Sequence, residues 1–191
     1  MLDKNQDTAT LFSRVVLVMG VCGSGKSTIA RGLAEHDAGV FIEADEFHPA
    51  ENVALMSQGI CLDDEKRWGW LQAVCEQAQL ALAQDVNHAQ RVFIACSALK
   101  QRYRQFMRER LGDLVILYLA GGQPLIHDRM LQRKNHFMPI SLLDSQLFDL
   151  EEPSEDEFPW YRLDISHTPE CLLSEAKAVI EQHRPMPPLE S

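Results

Sequence analysis

The chain is short of positive charge: 18 lysines and arginines stand against 28 aspartates and glutamates in 191 residues, a formal net charge of -10. So acidic a surface repels a polyanion, which excludes nucleic acid as a partner but leaves room for a small anion held by a few local basic groups. Long apolar runs are missing too. The stretch from Val15 to Cys22 is too short to cross a bilayer. The polar start, MLDKNQDTAT, has no basic segment followed by an apolar one, so neither a membrane span nor an export signal is expected. The five cysteines, Cys22, Cys61, Cys75, Cys96 and Cys171, are odd in number and lack metal-type spacing. Free thiols in a reducing cytoplasm are the expectation.

What is present describes one domain over residues 1–191, since 46% hydrophobic and 24% charged residues at this length suit a single well-buried core. Residues up to about 13 read as an N-terminal extension, and those from about 184, in the proline-containing HRPMPPLES, as a loose tail. RVVLVM at residues 14–19 is a continuously apolar, β-branched run of the kind that forms a parallel strand covered on both faces. Ile29, Ala30, Leu33 and Ala34 then recur at helical spacing, with Gly39 marking the helix end. VFIEAD is a second strand, and Pro49 opens a helix. Trp68, Leu71, Cys75, Ala78 and Leu82 lie on one face of a long helix whose dipole is met by Asp63, Asp64 and Glu65. RVFIAC, LVILYL and WYRLDI supply three more strands, and the acidic DLEEPSEDE reads as a surface loop. Strands alternating with helices predict an α/β three-layer sandwich with a five-stranded parallel sheet and ligands at the strands' carboxyl ends.

One such end carries Gly20, Val21, Cys22, Gly23, Ser24, Gly25, Lys26 and Ser27, followed by Thr28. These match the phosphate-loop pattern G-x-x-x-x-G-K-[ST] in full, between a strand and a helix as that pattern requires. Glycines allow successive N–H groups to point inward at phosphates, and the helix adds its positive end. Lys26 is expected on the β- and γ-phosphates and Ser27 on Mg²⁺, with ATP as the nucleotide. The chain has neither D-x-x-G nor N-K-x-D, which excludes a GTP switch. Its third strand ends in Cys96-Ser97 instead of an acidic pair, which favours a small-molecule or nucleotide kinase over a motor or transport ATPase.

MGVCGSGKST, EADEFHPAENVALMSQGICLDDEKRWGWL, ACSALKQRYR and RKNHFMPISLLDSQLFDLEEP, taken together and in this order, resemble the gluconokinase family from about residue 15 to residue 153. The phosphate loop alone is generic; FHPAEN, MSQG, CSALK and HFMP make the resemblance specific. It implies a fold like that of nucleoside-monophosphate kinases with a mobile lid borne by helices at about residues 122–150. It also implies Mg-ATP as donor, D-gluconate or a related sugar acid as acceptor and a homodimer, the alternative being a kinase of the same fold for another sugar acid or a shikimate-like hydroxy acid. The family pattern has Lys, Pro, Asp and Pro where this chain has Leu55, Cys61, Lys66 and Gly69, all four in the part after the second strand that is expected to help build the acceptor site.

Phosphoryl transfer asks for alignment and charge neutralisation, so an acceptor site needs a group on the hydroxyl and a clamp on the acid. Asp45 is the candidate for orienting or deprotonating the hydroxyl, or else an acidic N-cap or surface-loop residue. Glu43 and Glu46 are placed second because alternate strand positions face away from Asp45. Arg67 is a candidate carboxylate ligand, or a solvated helix residue paired with Asp63 or Asp64. His48 either lines the same pocket or bonds locally, and Ser97 either meets acceptor hydroxyls or caps the helix near Lys100. Lys100, Arg102 and Arg104 read as a solvated basic face. By resemblance, Arg129 and Arg133 close over ATP, with Arg133 neutralising the transferred phosphate and His136, Phe137 and Met138 excluding water. Ser166 to Pro169 is placed as an adenine wall by its position alone.

Overall fold

Strand β1 (Val15–Met19) has no polar side chain to offer solvent, and all of it is buried. In the computed structural model, which describes residues 13–85, 90–132 and 139–183, β1 pairs in parallel with β3 (Val92–Ala95) on one side and β4 (Leu114–Ala120) on the other. Strand β2 (Val40–Glu43) joins outside β3, and β5 (Trp160–Asp164) outside β4. The five-stranded parallel sheet runs β2-β3-β1-β4-β5, as the strand pattern anticipates.

Alternation along the strands splits the core in two. Val16, Val18, Phe93 and Leu117 pack with Ile29 and Leu33 of α1 (Lys26–Asp37) and Leu172 and Ile180 of α7 (Pro169–Glu181). Val15, Leu17, Ile94 and Ile116 face Leu71 and Val74 of α3 (Asp64–Gln84) and Met107 of α4 (Gln101–Leu111). Each such aliphatic side chain contributes about 1.5–3 kcal/mol through burial, so the two cores fix the sheet that carries the loops. Of the shorter helices, α5 (Gln123–Gln132) and α6 (Leu143–Asp149) join the first core through Ile126, Met130 and Leu143, while α2 (Ala50–Ser57), preceded by Pro49 as expected, buries Met56 in a separate small cluster.

Several details depart from the sequence pattern. The left-handed residue that ends α1 is Ala38, with φ 50°, not Gly39. Gly39 is needed for a different reason: a Cβ there would lie 2.6 Å from the Arg91 carbonyl oxygen. On α3 the buried face holds Trp70, Val74 and Ala81 besides Leu71, Cys75 and Ala78, while Trp68 and Leu82 are only partly buried. Arg104 is not on a solvated face. It is 1% exposed, clamped at 2.5 and 2.8 Å to both oxygens of Glu157, and donates to the carbonyls of Ala98 and Leu99. DLEEPSEDE is correspondingly not a free surface loop: besides Glu157, Glu151 accepts from the Gln101 N–H and Glu152 pairs with Arg162. The five cysteines are all free. Among the described residues no helix is long and apolar enough to cross a membrane.

Candidate active site

The loop after β1 carries positive φ at Gly20, Gly23 and Gly25. At Gly20 a Cβ would meet the Leu119 carbonyl oxygen at 2.8 Å and Ser24 Oγ at 2.9 Å, so a tight turn and close packing both demand glycine. Gly25 has open space around it; its φ of 100° alone excludes a side chain, and it hands the chain directly to α1. The Val21 and Cys22 side chains are buried, leaving backbone N–H groups as the loop's recognition surface. Lys26, the first residue of α1, folds its Nζ back onto the Val21 carbonyl at 3.1 Å. Ser27 is half-buried beside it and Thr28 is exposed.

In front of this loop is a cavity of about 260 Å³. Lys26 and Ser27 line one side, and Glu43, Asp45, His48, Arg67 and Ser97 the rest, with Met56, Leu62, Trp70 and Leu142 as apolar wall. The candidates from three separate segments thus share one space with the phosphate loop.

Glu43 and Asp45 both face the cavity, which corrects the placing of Glu43 on the opposite side. Positions 43 and 45 are two residues apart, and a strand's period of two already puts such positions on one face; β2 ends at Glu43, and the 3-10 turn Ala44–Phe47 that follows keeps Asp45 at the cavity. Burial pushes the Glu43 carboxyl above its ordinary range, against the hydrogen bond from the Ser27 hydroxyl. The Asp45 side chain makes no hydrogen bond or ion pair with the described residues, and the turn has no side-chain cap. Capping is therefore not its role.

His48 stacks on Trp70 with ring centroids 4.3 Å apart and planes at 13°, while the indole N–H donates to the Ala44 carbonyl at 2.6 Å. Burial, helped by Arg67 and opposed by Asp45, lowers the imidazole pKa to about 4, so the ring is neutral at physiological pH. Its Nδ1 is buried without a hydrogen-bond partner among the described residues.

Arg67 pairs with neither Asp63 nor Asp64. Asp63 caps α3 through the Lys66 N–H. Arg67 Nη1 donates to Asp149 Oδ2 at 2.8 Å and to the Tyr103 hydroxyl at 3.2 Å. Ser97 does not cap α4, whose N-cap is Lys100 and whose first N–H is held by Glu151. Lys100 bridges Asp64 and Asp149 at 3.2 Å each, and Arg102 pairs with Asp64. Arg129 donates to the Ile165 carbonyl at 2.6 Å, at the loop that leads to Ser166 and Pro169, and does not line the cavity. Arg133, His136, Phe137 and Met138 lie outside the described residues.

Of the positions that depart from the family pattern, only Cys61 lines the cavity. Leu55 packs on Met56 and Leu62, Lys66 turns outward to Asp63 at 3.0 Å, and Gly69 has open space where a Cβ would be. Sequence reasoning missed Gln146, whose Oε1 accepts from the Cys22 N–H at 2.7 Å, and Asp149. Both sit on α6, and no local pattern announces that a helix so far along the chain returns to the loop.

The donor set also fits a divalent cation. Mg²⁺ takes one or two protein oxygens and completes its shell with phosphates and water, which Ser27 and its partner Glu43 can supply. Among the described residues no group of three or more His, Cys, Asp or Glu side chains forms a self-sufficient metal cage.

A phosphate loop at the carboxyl end of a parallel sheet's central strand, facing an acidic pair and an arginine across a small cavity, defines a phosphate-loop kinase of small molecules. No protein-family model matches the chain. It is 38% identical over 173 residues to the thermosensitive gluconokinase of Escherichia coli (strain K12), covering 88% of this chain and 89% of that protein. It is 39% identical over 162 residues to the gluconokinase of Gluconobacter oxydans (strain 621H), covering 85% and 88%. Among solved structures, a gluconokinase from Sinorhizobium meliloti 1021 superposes with a TM-score of 0.78 at 39% identity, covering 91% of this chain and 95% of that one. A Mycobacterium tuberculosis APS kinase, at 14% identity and a TM-score of 0.58 over 90% of this chain and 99% of that one, shares the fold. The chain belongs to the gluconokinase family.

Proposed function

We propose that the chain transfers the γ-phosphoryl group of Mg-ATP to the 6-hydroxyl of D-gluconate, giving ADP and 6-phospho-D-gluconate. The observation that carries this is the shared cavity, with Lys26 and Ser27 at one side and Asp45 and Arg67 at the other. The loop N–H groups not taken by Gln146 and the Val21 carbonyl, together with Lys26, hold the phosphates, while Ser27 and Glu43 would hold Mg²⁺, whose charge would neutralise the phosphates. Asp45 orients the 6-hydroxyl and accepts its proton. Arg67 takes the carboxylate, and neutral His48 and Ser97 take intervening hydroxyls. Arg133 neutralises the transferring group by family resemblance, whereas Arg129, tied to Ile165, braces the loop at the nucleotide side. A homodimer in the cytoplasm completes the proposal.

The test is ADP release on a panel of hydroxy acids. The expected result is ATP consumption that depends on gluconate and is weak with shikimate or shorter acids. Nucleotide binding without turnover on any sugar acid would overturn the proposal.

A further inference from the structure

Arg67 is engaged at one end only. Its Nη1 is shared between Asp149 and Tyr103, while Nε and Nη2 have no partner among the described residues. A guanidinium binds a carboxylate best through two parallel N–H groups, and Nε with Nη2 forms such an edge. Asp149 is itself fixed, because its second oxygen takes Lys100 Nζ at 3.2 Å. It stands on α6, which Leu143 anchors in the core and which reaches the phosphate loop through Gln146, one helical turn before Asp149. One short helix therefore touches both halves of the site.

We infer that Asp149 is a positioning residue for the acceptor. It holds Arg67 by Nη1, leaves the Nε–Nη2 edge for the substrate carboxylate, and through α6 registers that edge on the phosphate loop. The inference rests on gluconate being the acceptor. It makes Asp149 a determinant of affinity for the acid and not for the nucleotide. If Asp149 instead competed with the substrate for Arg67, its removal would strengthen gluconate binding, so the two roles have opposite signs.

The experiment is steady-state kinetics of wild type, Asp149→Asn, Asp149→Glu, Arg67→Lys and the Arg67→Lys/Asp149→Asn double variant, each checked for an unchanged melting temperature. Asparagine keeps the shape and loses the charge. Asp149→Asn is expected to raise KM for gluconate about thirtyfold, the low end of the range for losing one charged partner of a held arginine, with KM for Mg-ATP unchanged. Asp149→Glu is expected to restore part of the loss. In the Arg67→Lys background, Asp149→Asn should add nothing, because the edge it orients is gone. An unchanged or lower KM for gluconate, or equal rises for gluconate and ATP, would overturn the inference while leaving the acceptor assignment intact. Absence of gluconate turnover by wild type would overturn both.

Discussion

The two halves of the site are built on different principles. The proposed donor half is one unbroken stretch, Gly20 to Ser27, offering mainly backbone; Val21 is buried in the core, and the buried Cys22 borders the cavity. The acceptor half is assembled from side chains at residues 43 to 48, 67, 97 and 149, brought together by the ends of β2 and β3 and by α3 and α6. Backbone donors are fixed by glycine geometry and tolerate sequence change between the glycines. Side-chain donors work only if the partners that orient them stay in place. The donor half should therefore fail through its few obligatory residues, and the acceptor half by degrees.

The largest effects should fall on either side of that division. Lys26→Ala is expected to lower kcat by about 10³-fold, the scale for losing one preorganised charge on a developing anion, and to weaken nucleotide binding. Asp45→Asn is expected to lower kcat by about 10²–10⁴-fold, the range for a positioned general base, with nucleotide binding intact. Steady-state rates beside a fluorescent-nucleotide titration separate the two. Loss of nucleotide binding in Asp45→Asn would show that the halves are not independent.

Glu43 sits where the halves meet, against Ser27 of the loop and beside Asp45. Burial raises its carboxyl pKa, so the folded state resists the charge that function at neutral pH requires. A group with a raised folded pKa favours the fold below its unfolded value and loses that advantage as pH rises through the folded one. Glu43→Gln should therefore lower activity by about 10–100-fold, as for other residues that support a metal site. It should also raise the melting temperature at pH 7, with the gain fading toward pH 4.5, the ordinary value for a glutamate. A destabilised Glu43→Gln at pH 7 would mean that the Ser27 bond outweighs burial.

Most of the sheet was legible because a strand covered on both faces writes itself as an apolar run, as in Val15–Met19 and Leu114–Ala120. The phosphate loop was legible because its geometry needs glycine at particular places. The acceptor half was readable by residue type and not by partner. Arg67 was identified, but its true partner, Asp149, lies on a helix that no local spacing ties to α3. Glu43 belongs on the side of Asp45 because the two are separated by two positions, and a strand's period of two puts such positions on one face. Arg104 and Glu157 were read as solvated because a charged residue usually is; their buried pairing across two segments is a tertiary fact. The altered positions Leu55, Lys66 and Gly69 looked like acceptor-site changes, and geometry turns each away from the cavity.

The smallest predicted effect tests whether the acceptor half is dry. Burial against Trp70 disfavours the charged form of His48 and lowers its pKa in the fold from the ordinary 6.5 to about 4. As pH falls below 6.5 the unfolded chain takes up a proton that the folded one refuses, so stability declines until about pH 4, where the folded ring is also protonated. Above 6.5 the ring is neutral in both states and contributes no slope. Urea midpoints measured from pH 7.5 to 4 should show this decline, and in His48→Gln the slope should be shallower across the same window. The acid limb of the rate profile above pH 5 should not belong to His48, since the ring is already neutral there. Equal slopes in the two proteins would place His48 in water. A wet His48 would remove one wall of the acceptor half and leave Arg67 as its main anchor, making that half depend on a single charge pair and sharpening its contrast with the many backbone donors of the phosphate loop.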